Sequence, residues 1–460
     1  MRLDQLTLNN YRCFDALTIR FHPQITVLVA PNGGGKTTIL DAARVALWPF
    51  VKGFDLGSQT GKAATIQLAD VRLARQGDFD MEPQIPSWIE AKGDCSEELA
   101  DFTWRQTRRR MKAGTNTTGD DETKVLTGYA MELQQAVRAG TPQVTLPLVT
   151  YLGTSRLWFE GRFTSVAADT TLDSREYSRT SGYLNCIAYA SSFKAFTAWY
   201  GWVYRSYREA QAIALERQTT EIVATERHFS TVIQVIKSAV DALVRGATGW
   251  HSLEYRASQQ HQLVMYHAQH GIMPVEMLSD GLRNAIAMVA DIAFRAYKLN
   301  PHLGLDAARQ TPGIALIDEV DMFLHPSWQQ TIAGALTSAF PSIQFIVTTH
   351  SPQVLSTVHR ENIRLIGLDA GGVNIATPPL AMTYGEPSGD VLHSVMLVDP
   401  QPPIAEAVDL QRLTEWVDQG SYQTPETIAL IERLSAALGE QHPQLQRLQR
   451  SMQRQEALRR

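Results

Sequence analysis

The sequence predicts an α/β fold: a mostly parallel sheet that carries a phosphate-binding loop, is split by a helical insertion, and is followed by a small helical C-terminal region. Three observations lead there. Ile25-Thr26-Val27-Leu28-Val29, Ile314-Ala315-Leu316-Ile317 and the run from Ile343 to Val347 are short apolar stretches, the last two ending in polar residues as buried parallel strands do. A glycine-rich loop, Ala30-Pro31-Asn32-Gly33-Gly34-Gly35-Lys36-Thr37-Thr38, stands between the first of these strands and a helical run reaching Leu47. Between residues 157 and 264 the apolar spacing turns helical.

The bulk numbers set bounds. A chain of 460 residues suffices for two or three domains with cores of their own. Hydrophobic content of 44% with 19% charged residues is that of a globular protein and excludes a disordered chain. No apolar run approaches a membrane span, and the first residues, Met1 to Leu6, lack a signal-peptide core, so a cytoplasmic protein is expected. Cys13, Cys95 and Cys186 have no metal spacing and suit a reducing compartment. A formal net charge of −5 argues against a broad nonspecific nucleic-acid surface and leaves room for a local basic patch.

Along the chain, Leu3, Leu6 and Leu8, then Leu17, Ile19 and Phe21, give a pair of strands leading into the loop strand, with Tyr11-Arg12-Cys13-Phe14 at the turn between them. Residues 83–145 show little periodicity. There Arg105, Arg108, Arg109, Arg110 and Lys112 cluster ahead of a stretch from Gly114 to Asp121 that reads as a mobile loop. The cluster is read as a solvated strand end or helix face before it is read as a nucleic-acid contact. Leu146 to Leu152 is another buried strand, ending at Gly153-Thr154-Ser155-Arg156. Trp199, Trp202, Val203 and Tyr207 share a helical face, as do Phe229, Val232, Ile233, Ile236, Val240 and Leu243. Leu253 to Arg256 and Leu263 to His267 then read as a hairpin. Beyond residue 370 come proline-rich loops and two or three short helices.

The chemistry sits at four motifs. In the loop, backbone N–H groups of Asn32, Gly33, Gly34, Gly35 and Thr38 can wrap a phosphate at the helix N-terminus. Lys36 would reach the β- and γ-phosphates and the Thr37 hydroxyl would ligate Mg²⁺. Ala30 stands where such loops carry their first glycine. An alanine takes positive φ only at a cost, so slower turnover rather than lost binding is the expected consequence. Downstream, four apolar residues end in Asp318-Glu319. In a P-loop enzyme the first acid holds Mg²⁺ and the second activates the attacking water. Leu278-Ser279-Asp280-Gly281 precedes a helix, where Ser279 and the backbone N–H groups can bind a phosphate; taken alone it reads as an N-cap. The run from Phe345 to Thr349 ends at His350, placed to hydrogen-bond a γ-phosphate; a lone histidine at a strand end is more often structural.

In order and spacing these motifs resemble the ABC-type ATPase heads of the SMC/RecF/OLD superfamily. Asp280 falls 38 residues before Asp318, where that family has its signature motif, and His350 falls 32 residues after, where its switch histidine lies. Asp321 suits the D-loop that contacts the opposite subunit. The resemblance extends to one branch, the PtuA-like ATPases of Septu and retron-associated anti-phage systems. It is carried by Tyr151 to Trp158, the helix through Asp291-Ile292-Ala293-Phe294-Arg295 to Pro301, Asp318 to Trp328, Tyr384-Gly385 through Leu392, and the stretch from Leu438 to Leu448. No glutamine stands at the usual Q-loop position, and Gly153 to Arg156 is the candidate replacement.

The resemblance implies an organisation of 1–156 as the N-terminal half of the head, 157–264 as the helical insertion, 265–370 as the C-terminal half, and 371–460 as a helical region that is a candidate dock for a partner. It implies ATP and Mg²⁺ as cofactors, catalysis by Glu319 and His350, metal held at Thr37 and Asp318, and a homodimer, or an assembly of dimers, with ATP bridging the heads. It also implies a separate HNH nuclease, PtuB, with nucleic acid met through the complex. In the tail, Leu445, Leu448 and Met452 share one helical face and Arg447, Arg450, Arg454, Arg459 and Arg460 give a basic surface, so this helix either packs on its own domain or docks the partner. Two other functions stay open at this point: a RecF-like DNA-repair or recombination ATPase acting directly on DNA, and a scaffold in which ATP fixes assembly without being hydrolysed.

Overall fold

The computed structural model describes all residues except 59–62, 78–79, 113–116, 142, 156–177, 190–192, 218–219, 257–261, 400–401 and 460. It divides into two compact units, Met1–Met396 and Leu397–Arg460. The expected loop from Gly114 and the run through Arg156 and Trp158 lie partly outside the described residues.

In the first unit, β1 (Arg2–Tyr11) and β2 (Phe14–Arg20) pair antiparallel, as the alternation predicts, with Leu6 opposite Ile19 and Leu8 opposite Leu17. β3 (Ile25–Val29) leaves them for another sheet. β4 (Leu73–Gln76) and β5 (Asp80–Pro83) form a small ribbon. β6 (Ser87–Asp94), β7 (Phe102–Arg108) and β8 (Thr118–Gly119) complete a 5-stranded antiparallel sheet of order β2-β1-β6-β7-β8. Strands β6, β7 and β8 therefore lie in the region of weak periodicity. Its inward positions on β6 and β7 include Ser87, Ala91, Gly93, Gln106 and Arg108, which hide the apolar alternation. Arg108 is buried and donates to the carbonyls of Ile66 and Lys112, while Arg105 pairs with Glu90 and lies over the Trp88 ring. These two arginines are thus committed to the lobe itself. A helix over Asp121–Arg138 follows, missed by the sequence reading, its N-terminus capped by Asp120, which accepts from the Thr123 N–H at 2.8 Å.

The second sheet holds the site. β9 (Leu148–Leu152), β13 (Gly313–Ile317), β14 (Ile343–Thr348) and β15 (Ile363–Leu368) run parallel with β3, and β16 (Asn374–Thr377) closes one edge antiparallel, in the order β16-β15-β3-β14-β13-β9. β3, β9, β13 and β14 are buried throughout, which is why they read as unbroken apolar runs. Gln344 on β14 couples the two sheets: its amide donates to the carbonyls of Leu3 and His22 at 2.7 and 3.0 Å and accepts from the Leu3 N–H at 2.8 Å.

The described residues of the stretch from 193 to 274 form a helical hairpin, Phe193–Arg217 and Thr220–Thr248, followed by a 3-stranded antiparallel sheet of β10 (His251–Arg256), β11 (Gln262–His267) and β12 (Gly271–Pro274). The hairpin read at Leu253 and Leu263 is the β10–β11 pair. Val232, Ile236, Val240 and Leu243 join the same core as the sheets, and Trp199 sits 4.6 Å from Phe294 on the long helix Asp280–Leu299. That helix is fastened by a buried ion pair: Arg295 Nε donates to Asp291 Oδ2 at 2.8 Å and Arg295 Nη1 to the Gly182 carbonyl at 2.6 Å, while the Thr150 hydroxyl of β9 donates to Asp291.

Among the described residues after 370 there are four helices, Ser388–Ser394 in the first unit, and Ala407–Asp418, Pro425–Leu438 and Pro443–Arg459 in the second, the last three finishing the chain as expected. In the second unit, Thr424 caps the middle helix with Pro425 at its first position. Leu410, Leu413, Val417, Leu430, Leu434, Leu445 and Leu448 form its core, and Met452 packs against it. The apolar face of the last helix is thus covered within its own unit, with Arg447, Arg450 and Arg454 exposed.

Removing one partner of a buried pair strands the other charge. Asp291→Ala is expected to lower unfolding free energy by about 3–5 kcal/mol in urea melts, whereas the exposed Asp121→Ala leaves the urea midpoint close to wild type. Equal effects would contradict the anchoring role of the pair.

Candidate functional site

The loop between β3 and the helix Lys36–Val51 has the form its residues predict. The Gly34 N–H donates to the Pro31 carbonyl at 3.0 Å, and Gly35 sits at φ +89° as the residue before the helix, a left-handed conformation that suits glycine. Ala30 is not among the positive-φ residues, so the expected strain of an alanine at this position does not arise. Its methyl occupies space instead: a Cβ on Gly34 would lie 2.7 Å from the Ala30 Cβ. Lys36 is buried, its Nζ donating to the carbonyls of Ala30 and Pro31 at 2.8 and 3.3 Å. Burial lowers its pKa, and Asp318, Glu319 and Asp321 oppose that shift.

Asp318 stands at the end of β13, buried, with both carboxylate oxygens engaged. Oδ2 accepts from the Thr37 hydroxyl at 3.0 Å and Oδ1 from the Thr348 hydroxyl at 2.6 Å. Glu319 follows at φ +49°, a conformation that costs a non-glycine residue about 1–3 kcal/mol. Thr349 donates to Asp321 Oδ1 at 2.6 Å.

A cavity of ≈ 300 Å³ joins these parts. Every loop residue from Asn32 to Thr38 lines it, with Asp318, Glu319 and the exposed His350. Arg12 and Cys13 line it too, and the sequence reading placed them only at a turn. Arg12 sits at φ +50° and is held by Asp41 at 2.6 Å and Asp70 at 2.8 Å, contacts between segments distant in sequence that no local pattern announces.

Ser279, Asp280, Gly281 and Asp321 do not line the cavity. Ser279 precedes the helix Asp280–Leu299, is exposed, and makes no side-chain capping bond, unlike the simple N-cap it resembles. Asp280 pairs with Arg283, and Asn284 Nδ2 donates to the Met322 carbonyl at 2.9 Å, joining this helix start to the turn after Glu319. Gly153 to Ser155 lie outside the cavity lining, and Arg156 outside the described residues.

A family described as "AAA domain" matches residues 5–224, and one described as "AAA domain, putative AbiEii toxin, Type IV TA system" matches residues 147–356. The Retron Vc95 probable ATPase of Vibrio cholerae serotype O1 biovar El Tor is 26% identical over 80% of this chain and 73% of its own length. The Retron Ec83 probable ATPase of Escherichia coli is 25% identical over 88% of this chain and 77% of its own. The chain is a P-loop ATPase. It is similar to these retron ATPases and, at 46% identity over 17% of this chain and 10% of the relative, to the Septu protein PtuA of Bacillus mycoides (strain KBAB4). Among solved structures, an Smc head bound to the C-winged helix domain of ScpA aligns over 82% of this ATPase and 98% of that chain, at 14% identity and a TM-score of 0.46. Among the described residues, no helix is long and apolar enough to cross a membrane.

The crowding of Gly34 by Ala30 is testable. Gly34→Ala is expected to destabilise the ATPase by about 1–3 kcal/mol, and Ala30→Gly in the same chain to restore part of that in thermal melts. No recovery would place the conflict at the Pro31 carbonyl instead.

Proposed function

We propose that this ATPase is the sensor and regulator subunit of a bacterial anti-phage defence complex and controls a separate HNH-type nuclease of the PtuB kind. The observation that carries the reading is the similarity to retron ATPases along most of both chains, joined to a cavity in which Lys36, Thr37, Asp318, Glu319 and His350 converge. The Thr37 hydroxyl and Asp318 carboxylate are hard oxygen donors 3.0 Å apart and would hold Mg²⁺ together with phosphate and water oxygens. When bound, the ion neutralises charge on the phosphates.

In this reading Asn32 to Gly35 and Thr38 cradle the phosphates through backbone N–H groups, and Lys36 leaves its two carbonyls for the β- and γ-phosphates. Glu319 takes a proton from the attacking water as its oxygen bonds the γ-phosphorus and the bond to ADP breaks. His350 hydrogen-bonds the γ-phosphate. Ser279, Asp280 and Gly281 lie away from their own cavity and would close over the nucleotide of a second copy, with Asp321 meeting that copy. A two-fold pairing of this kind builds two composite sites. Hydrolysis would release the bridge and pass the signal to the nuclease.

Lys36→Ala is expected to abolish ATP binding in equilibrium titration. Glu319→Gln is expected to bind ATP as the wild type does while phosphate release slows by about 100-fold or more; hydrolysis at the wild-type rate would remove Glu319 from its role. The functional reading is tested by expressing the tagged ATPase with its native gene neighbours. A stoichiometric small nuclease should co-purify. Recovery with DNA-repair proteins instead would favour a RecF-like ATPase acting on DNA.

A further inference from the structure

Thr348 lies at the end of β14, two residues before His350, and is fully buried. Its hydroxyl donates to Asp318 Oδ1 at 2.6 Å and accepts from the Glu319 N–H at 2.7 Å. Its carbonyl accepts from the Val320 N–H at 3.0 Å. A hydroxyl has one proton, so its rotor is fully set here: the proton faces the carboxylate and a lone pair faces the amide. One side chain thereby fixes the orientation of Asp318 and the left-handed backbone of Glu319, two acids that line the cavity. The next residue repeats the device, with the Thr349 hydroxyl on Asp321 at 2.6 Å.

We propose that Thr348 is the positioning residue of this ATPase. It holds one oxygen of Asp318 so that the other stays turned toward Thr37, and it holds Glu319 in the one backbone conformation that keeps its carboxylate facing the nucleotide. Thr348 touches neither nucleotide nor water itself and acts through these two acids. The inference rests on the roles proposed above for Asp318 and Glu319.

The test compares Thr348→Val and Thr348→Ser with the wild type in the full chain. A fluorescent ATP analogue is titrated in EDTA and again in Mg²⁺, beside steady-state phosphate release. In EDTA all three should bind alike, which also shows that the loop is folded. The gain in affinity on adding Mg²⁺ should shrink in Thr348→Val, and kcat should fall with KM little changed, each by about 10-fold or more, the size seen when a partner of a metal-bound ligand is lost. Thr348→Ser keeps the hydroxyl and should restore both. If Thr348→Val does not fold, Thr348→Cys, a weaker donor, takes its place with the same expectation. A Mg²⁺ gain and a kcat in Thr348→Val equal to wild type would overturn the proposal, as would a serine variant that loses as much as the valine. Absence of hydrolysis in the wild type would instead overturn the reading on which it rests.

Discussion

The carboxylate of Asp318 is the joint on which the site depends. It closes three segments that are far apart in the chain: the start of the loop helix through Thr37, the end of β13 on which it sits, and the end of β14 through Thr348. Each of these strands is buried throughout, so their ends are fixed by the packing of the sheet rather than by the loops they feed. Polar groups so deeply buried must be satisfied, and here each is satisfied by another group of the site. Whatever displaces one oxygen of Asp318 is therefore felt at both Thr37 and Thr348. The left-handed Glu319 shows the same logic: its backbone is costly alone and persists because the amides of 319 and 320 are both held by Thr348.

Around this joint the fold supplies rigidity from two directions. Gln344 locks the parallel sheet to the antiparallel one through three hydrogen bonds to backbone groups of Leu3 and His22. The Asp291–Arg295 pair locks the long helix, whose first turn carries Asp280 and Gly281, to β9 and the segment at Gly182. The helical hairpin of the insertion contributes aromatic contacts to that same helix, with Trp199 and Phe196 on Phe294. Packing laid down well away from the cavity thus sets the direction in which the Ser279 end points.

Much of this was legible in the residues alone. The P-loop, Asp318-Glu319 and His350 were readable because strand, turn and helix chemistry there is local: a buried run, then the residue types a phosphate needs. β6 and β7 were obscured because their inward positions hold Ser87, Gln106 and Arg108, polar side chains of which the last two donate to the carbonyls of Val45 and Ile66 on other segments. Arg12 and Thr348 were illegible for a related reason. Their importance comes from neighbours such as Asp41, Asp70 and Asp318, which only the fold brings near. The strain expected at Ala30 does not arise because it depends on a positive φ that the loop does not impose there.

In the proposed assembly nucleotide joins two copies, with Ser279 of one copy over the cavity of the other. Light-scattering mass of Glu319→Gln with and without ATP tests it most directly, with Ser279→Arg added to the same chain as the control. The mass is expected to double with ATP and the control to keep its nucleotide-free mass. A mass indifferent to ATP, or doubling that survives Ser279→Arg, would contradict it.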